Sequence, residues 1–302
     1  MYRIHTTGVD EEKSRHTDVQ GIASHASSSE PAEYFCDDSD SAMHVMRRLI
    51  ERVPRSRIRL TDSDGWECDE ADILGPQYVS RVFTNRREDL RYRMPAKTPI
   101  ALPRLLLASN SPRRREYLRY TGIPFDAVAA DVDEQRIAQE TEALYRDEPF
   151  GVRAACTVMA LAEAKATAVG GDTENGVVLG SDTVVTIDDE VLGKPDTEAC
   201  ALEMIRRLSG RDHHVYTGVS IAATGRIITF YTSARVRFHP WTEVQEETAR
   251  RYVDSKAPLD KAGAYGIQDQ GALLIQEIRG DFYTIAGLPL STVYLRLKEL
   301  GF

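Results

Sequence analysis

The chain has 302 residues, 42% hydrophobic and 28% charged, with a net charge of −9 and a pI near 5.4; this is ordinary soluble globular composition, long enough for one large domain or two smaller ones. The acidic balance argues against a nucleic acid polymer as partner but suits a small phosphorylated ligand in a local basic pocket, and a divalent cation. No apolar run reaches membrane-spanning length, no secretory signal pattern opens the chain, and Cys36, Cys68, Cys156 and Cys200 form neither a metal motif nor a disulfide framework, which points to the cytoplasm.

Residues 1 to about 40 are polar and rich in Ser, Asp, Glu and His, and are expected to be disordered. A short helix is expected near 41–53, where Met43, Met46, Leu49, Ile50 and Val53 share a side and Pro54 ends the run. Arg47, Arg48 and Arg52 make it basic, but the acids Asp10, Glu11, Glu12 and Asp18 upstream disfavour a mitochondrial presequence, so it reads as an appended helix. Residues 60–99 are mixed and show no sustained period. Residues 1–100 are therefore expected to be a largely disordered N-terminal extension, and 101–302 the main domain.

From Leu105 the texture changes. Strand 105–109 runs into Ser109-Asn-Ser111, with Ser111 as helix N-cap and Pro112 as first helical residue. Arg113, Arg114 and Arg115 then fall in the first turn, the wrong end of the helix dipole for cations unless an anion sits there. The other reading is a surface helix whose arginines pair with acids such as Glu116. Strand 125–130 leads to Asp131-Val-Asp-Glu134, either a cation site at a strand end or a solvated acidic loop. A helix is expected at 148–169, carrying Lys165 as a surface residue or a phosphate contact. Strand 177–187 follows, interrupted by Asp182 after Gly180-Ser181 and before Thr183. A carboxylate in an apolar strand must be paired, hydrogen-bonded or metal-bound, and could serve as general base, metal ligand or structural acceptor. Asp188-Asp189 reads as a turn into strand 190–192, then Leu192-Gly-Lys194-Pro195 projects a lysine from a rigid turn. A helix at 197–208, a hairpin of strands 214–223 and 226–238 around Thr224-Gly225, and a helix at 243–254 come next. His213-His214 should point to opposite faces and be structural. In Asp260-Lys-Ala-Gly-Ala-Tyr-Gly-Ile-Gln268, Tyr265 offers either a stacking face or a core ring, and the Gln268 amide can read a donor–acceptor edge. Strand 272–277 and helix 290–299 close the chain, with Gly280-Asp-Phe and Gly287-Leu-Pro289 as turns. Helices alternate with strands and hairpins, so a mixed α/β sheet is expected.

Leu107-Ala-Ser-Asn-Ser-Pro-Arg-Arg114, Asp133-Glu134, Leu161-Ala-Glu-Ala-Lys-Ala166, Gly180-Ser-Asp-Thr183, Leu192-Gly-Lys-Pro195 and Lys261-Ala-Gly-Ala-Tyr-Gly-Ile-Gln268 together resemble the Maf family of nucleoside triphosphate pyrophosphatases, over about 103–302. The resemblance implies a mixed α/β sheet with two lobes around a deep nucleotide-binding cleft, like that of inosine triphosphatases. It implies hydrolysis of dTTP and UTP, with CTP or modified pyrimidine nucleotides also in scope, to the monophosphate and pyrophosphate with Mg²⁺ or Mn²⁺. Ser109, Ser111, Arg113, Arg114 and Lys165 would hold substrate. Asp182, Glu134 and Lys194 would be catalytic, with Asp182 and Glu134 also the metal residues. Arg113, Thr183 and Gln268 match positions tied to substrate choice. A homodimer is expected by the same resemblance. Ser181 and Asp269-Gln270 depart from the usual wording. The rivals are a 7-methyl-GTP pyrophosphatase and a non-catalytic nucleotide-binding regulator of cell division.

Overall fold

The computed structural model describes residues 104–170, 176–223 and 226–302, preceded by the segments 2–6, 24–25, 33–36, 58–62, residue 64 and 66–85. The expected helix near 41–53, the boundary near 99–103 and the turn at 224–225 lie outside the described residues.

The main body is a seven-stranded mixed sheet in which β11 (Ile275–Gly280), β10 (Arg226–Phe238), β9 (Asp212–Ala223), β7 (Gly176–Ile187), β5 (Arg104–Ala108) and β6 (Phe125–Val128) lie side by side in that order, with β8 (Glu190–Leu192) paired to β7. Strand β5 is parallel to β6 and to β7, while β9 and β10 run antiparallel beside β7. This is the expected mixed α/β sheet. The parallel trio needs crossovers, supplied by helix α2 (Pro112–Arg119) and by the pair α3 (Glu134–Leu144) and α4 (Phe150–Gly170). Leu105, Leu107, Val177 and Leu179 face a core built with Leu288, Val293 and Leu297 from the chain's end, whereas Leu106, Ala108 and Val178 face Ala166 of α4. These strands are buried on both sides, which is why they read as apolar runs rather than as alternations. A second core gathers Ile205 and Leu208 of α5 (Glu198–Leu208), Phe238, and Tyr252 and Val253 of α6 (Glu243–Asp254) around the far half of the long strands.

Two glycines set how closely α4 approaches the sheet. A Cβ on Gly180 would lie 2.1 Å from the Ala162 carbonyl oxygen, and one on Gly218 would lie 2.2 Å from that of Val158. Strand β7 outruns β5: Ala108 pairs with Gly180, and Ser181 to Ile187 continue past the end of β5. Asp182 therefore stands beside the loop where β5 ends, the carboxyl-end position at which open α/β sheets hold ligands. The Asp188-Asp189 turn has both residues at positive φ, 56° and 57°, as a tight hairpin requires, and folds β8 (Glu190–Leu192) back onto β7.

Three stretches differ from expectation. Residues 134–144 form α3, whose start is capped by Asp133 accepting from the Arg136 amide at 2.9 Å; only Thr141 is fully buried, so apolar periodicity is weak. The strand expected at 272–277 begins at Ile275 as β11 (Ile275–Gly280), because 270–274 is a 3₁₀ turn started by the Asp269 side chain. Gly280-Asp-Phe opens a one-turn helix, α7 (Phe282–Ala286), capped by Asp281 and ended by Gly287 at φ 101°, before α8 (Leu290–Glu299).

Before residue 100, strands β1 (Tyr2–Thr6), β2 (Ser24–His25), β3 (Glu33–Cys36) and β4 (Ile58–Asp62) pair in the order β2-β3-β1-β4. Helix α1 (Glu70–Asn85), kinked at Gly75-Pro76, packs Ala71, Val79 and Phe83 against Val152, Ala155 and Met159 of α4. Trp66 lies under the Arg237 guanidinium at 4.4 Å. The mixed composition of 60–99 hid this helix, since its kink breaks the helical period. No helix among the described residues is long and apolar enough to cross a membrane.

Candidate active site

The loop after β5 turns sharply into α2. The Ser111 amide donates to Ser109 Oγ at 3.2 Å, and Ser111 Oγ caps the helix by accepting from the Arg114 amide at 3.4 Å. Pro112 follows as the first helical residue, as expected. The arginines do not pair with Glu116, whose carboxylate accepts instead from the Tyr120 hydroxyl. Each reaches elsewhere. Arg113 meets Asp260 at 3.0 Å, and Arg115 folds back to Asn110 at 3.3 Å. Arg114 donates through Nε to the Gly287 carbonyl at 2.8 Å and through Nη2 to Thr183 Oγ1 at 3.0 Å.

That last bond belongs to an ordered relay. Thr217 donates to the Thr284 carbonyl at 2.7 Å, so the 3.0 Å contact between Thr183 and Thr217 has Thr183 as donor, and the Thr183 oxygen is free to accept from Arg114. Ser181, next to it in β7, donates to the Gly287 carbonyl at 3.1 Å. Alternation along the strand sends Ser181 and Thr183 to this face and Asp182 to the α4 face.

On the α4 face stands the charged centre. The Lys165 ammonium, nearly buried, bonds Asp182 Oδ1 at 2.6 Å and Glu134 Oε1 at 2.7 Å. Lys165 comes from α4 close to the Gly180 contact, Asp182 from mid-β7 and Glu134 from the first turn of α3. Partial burial pushes the Glu134 carboxyl up, but the bonded Lys165 ammonium, helped by Lys194 and Arg114, outweighs it and holds Glu134 below its usual range. Lys194 projects from the turn after β8, which is tied to the 260–268 loop by the Gly263 amide donating to the Gly193 carbonyl at 3.1 Å.

Ser109, Ser111, Arg113, Arg114, Glu134, Lys165, Asp182, Thr183, Lys194 and Gln268 all line one cleft of about 670 Å³. Thr217, a lone hydroxyl in an apolar strand with no motif around it, carries no signal of this role in the sequence. Asp260, at the head of the 260–268 loop, holds Arg113, a role that its sequence context does not signal. Tyr265 lines the cleft but is a core ring: it is buried, edge-on to Phe238, with its hydroxyl 2.8 Å from His213 Nε2. His213 and His214 do point to different partners, His214 bonding Asp72 at 2.8 Å.

Two groups of acids are relevant to a cation. Glu134 and Asp182 already converge on one positive charge, the Lys165 ammonium, and offer the hard oxygen donors that a divalent ion takes. Asp69, Asp72 and His214 also bring ligand atoms within 4.8 Å of one another, but outside the cleft and already bonded to helix ends and to each other.

Residues 104–300 match the family described as Maf-like protein. Among curated proteins, a dTTP/UTP pyrophosphatase of Bacillus cereus (strain AH820) is 44% identical over 198 residues, 66% of this chain and 96% of that protein. One of Bacillus mycoides (strain KBAB4), with the same description, is 44% identical over 196 residues, 65% of this chain and 95% of its own. The match covers the whole sheet and every cleft residue above, and the chain therefore belongs to the Maf family.

Proposed function

We propose that this chain is a nucleoside triphosphate pyrophosphatase that hydrolyses dTTP and UTP to the nucleoside monophosphate and pyrophosphate. The observation that carries the reading is the joining of Asp182 and Glu134 through Lys165 in a cleft that also presents Ser109, Arg113, Arg114, Lys194 and Gln268. The relatives' name supplies the nucleotides.

Arg113, Arg114, Lys194 and the Ser109–Ser111 turn would bind the triphosphate oxygens, and Gln268 would face the base. Arg113 would exchange Asp260 for substrate. Asp182 takes a proton from the attacking water, whose oxygen forms the new bond to the α-phosphorus. The bond from that phosphorus to the bridging oxygen breaks, and its electron pair leaves with pyrophosphate. Lys165 holds the Asp182 carboxylate in place through their 2.6 Å bond, and the cationic side chains offset the charge that grows on the leaving group. Glu134 and Asp182 would hold Mg²⁺ or Mn²⁺, which supplies further charge neutralisation on the phosphates. We place the enzyme in the cytoplasm as a homodimer that clears nucleotides.

The test is product analysis with dTTP, UTP, CTP and 7-methyl-GTP, each with Mg²⁺ or Mn²⁺. Equimolar UMP or TMP and pyrophosphate is the expected outcome. Preference for 7-methyl-GTP, release of orthophosphate, or saturable binding without turnover would each overturn the reading.

A further inference from the structure

A chain of charges starts from Arg113 on one wall of the cleft and continues past the groups that the hydrolytic step uses. Arg113 Nη1 meets Asp260 Oδ2 at 3.0 Å, Asp260 Oδ1 meets Lys261 Nζ at 2.7 Å, and Lys261 Nζ meets Asp269 Oδ2 at 3.2 Å. Lys261 is 8% exposed and also donates to the Ala257 carbonyl, so its three N–H donors are all taken. It is therefore not a spare cation for phosphate. The other oxygen of Asp269 accepts from the Tyr252 hydroxyl at 2.8 Å and from the Gly271 amide at 2.9 Å, and Tyr252 itself accepts from the Gly266 amide at 3.0 Å. The Asp269 carboxylate is thus held from three sides.

Gln268 sits against this assembly. A Cβ placed on Gly266 would lie 2.7 Å from Gln268 Nε2, 2.7 Å from Lys261 Cε and 2.8 Å from Asp269 Oδ2, so these atoms crowd one spot that only glycine leaves open. A carboxylate attracts the NH₂ end of a neighbouring amide and repels its carbonyl end. We propose that Asp269, locked by Lys261, Tyr252 and Gly271, is a positioning residue that turns the Gln268 carbonyl oxygen toward the base, so that the cleft selects pyrimidines presenting a ring N–H. Thymine and uracil carry that N–H; cytosine has a bare acceptor nitrogen at the same place. The inference rests on the proposed reading that Gln268 faces the base.

The test compares kcat and KM for UTP and CTP in the wild type and in Asp269→Asn, with inorganic triphosphate as a competitive inhibitor that has no base. The UTP-to-CTP ratio of kcat/KM should fall about tenfold in the variant, through KM rather than kcat, because the amide orientation is no longer enforced. Inhibition by inorganic triphosphate should be unchanged. Tyr252→Phe, which keeps the carboxylate but removes one bond to it, should shift the ratio the same way by roughly two- to threefold. A ratio near one in the wild type, an unaltered ratio in both variants, or an equal loss for UTP, CTP and inorganic triphosphate overturns the proposal. If the wild type binds UTP without hydrolysing it, the proposed activity fails while the ratio of dissociation constants for UTP and CTP still decides the role of Asp269.

Discussion

Lys165 bridges two carboxylates from different elements, and replacing Asp182 is expected to fail differently from replacing Lys165. Asp182→Asn keeps an oxygen for Lys165 to bond but removes the proton acceptor, so kcat should drop about 10²–10⁴-fold while the thermal midpoint barely moves. Turnover near the wild-type rate in that variant would rule out Asp182 as the base. Lys165→Met removes the cation that holds Glu134 below its usual pKa. Glu134 should then protonate at higher pH, and the acidic limb of the pH profile of kcat/KM should move upward. An unshifted limb would mean that Glu134 does not need its charge for the reaction. Asp182 itself could be picked out from sequence because a carboxylate in an apolar strand has to be accounted for. Lys165 was ambiguous, since a lysine on an alanine-rich helix has the same pattern whether it faces water or a partner strand.

The relation between α4 and β7 brings Lys165 to Asp182. It depends on Gly180, where a Cβ would sit 2.1 Å from the Ala162 carbonyl, one turn before Lys165. Gly180→Ala must push the helix off the sheet, at a cost of about 1–3 kcal/mol in stability for overpacking. Because the displaced helix carries Lys165, kcat should also fall about tenfold or more, consistent with the precision that catalytic positioning demands. A destabilised but fully active variant would show that the helix approach serves packing alone. Elements with strong local signals could be read from sequence: β8, β10, α6 and α8 fall where periodicity, caps and turn residues place them. Helix α3 could not, as it is capped by Asp133 but mostly exposed, and its opening acids read as loop. Nor could the 3₁₀ turn at 270–274, which exists because Asp269 accepts from the Gly271 amide, a bond that no period announces.

At the scale of the whole molecule, the relatives align with 66% of this chain and nearly all of their own length, so the segment carrying α1 is an addition to the matched domain. It is fastened to the sheet at several points: Asp212 accepts from the Glu67 amide at 2.8 Å, the Arg237 guanidinium lies over the Trp66 ring at 4.4 Å, and Arg279 pairs with Asp64. A pH-dependent fastening lies at the start of α1. Asp69 and Asp72 cap each other's amides, and they also engage Tyr216 and His214 of β9. Burial disfavours charge on His214, but Asp69 and Asp72 outweigh it and raise its pKa to about 9; desolvation likewise opposes the Asp72 charge, but His214 and Arg235 lower that pKa. A histidine whose folded pKa lies above its unfolded value of about 6.5 contributes its full stabilisation below pH 6.5 and loses it as the pH rises through 9. Asp72 acts in the opposite sense, its contribution disappearing as acid protonates it. The attachment of α1 should therefore be firmest between these limits. Between pH 6.5 and 10 the wild type should lose roughly 5 °C in its thermal midpoint from this contact, with faster amide exchange confined first to α1. His214→Gln should be less stable at pH 6.5 and lack that slope, while retaining nucleotide hydrolysis, because His214 lies outside the cleft. The same alkaline slope in His214→Gln would assign the pH dependence to another group, and loss of hydrolysis in step with loosening of α1 would make the added segment a working part of the catalytic domain.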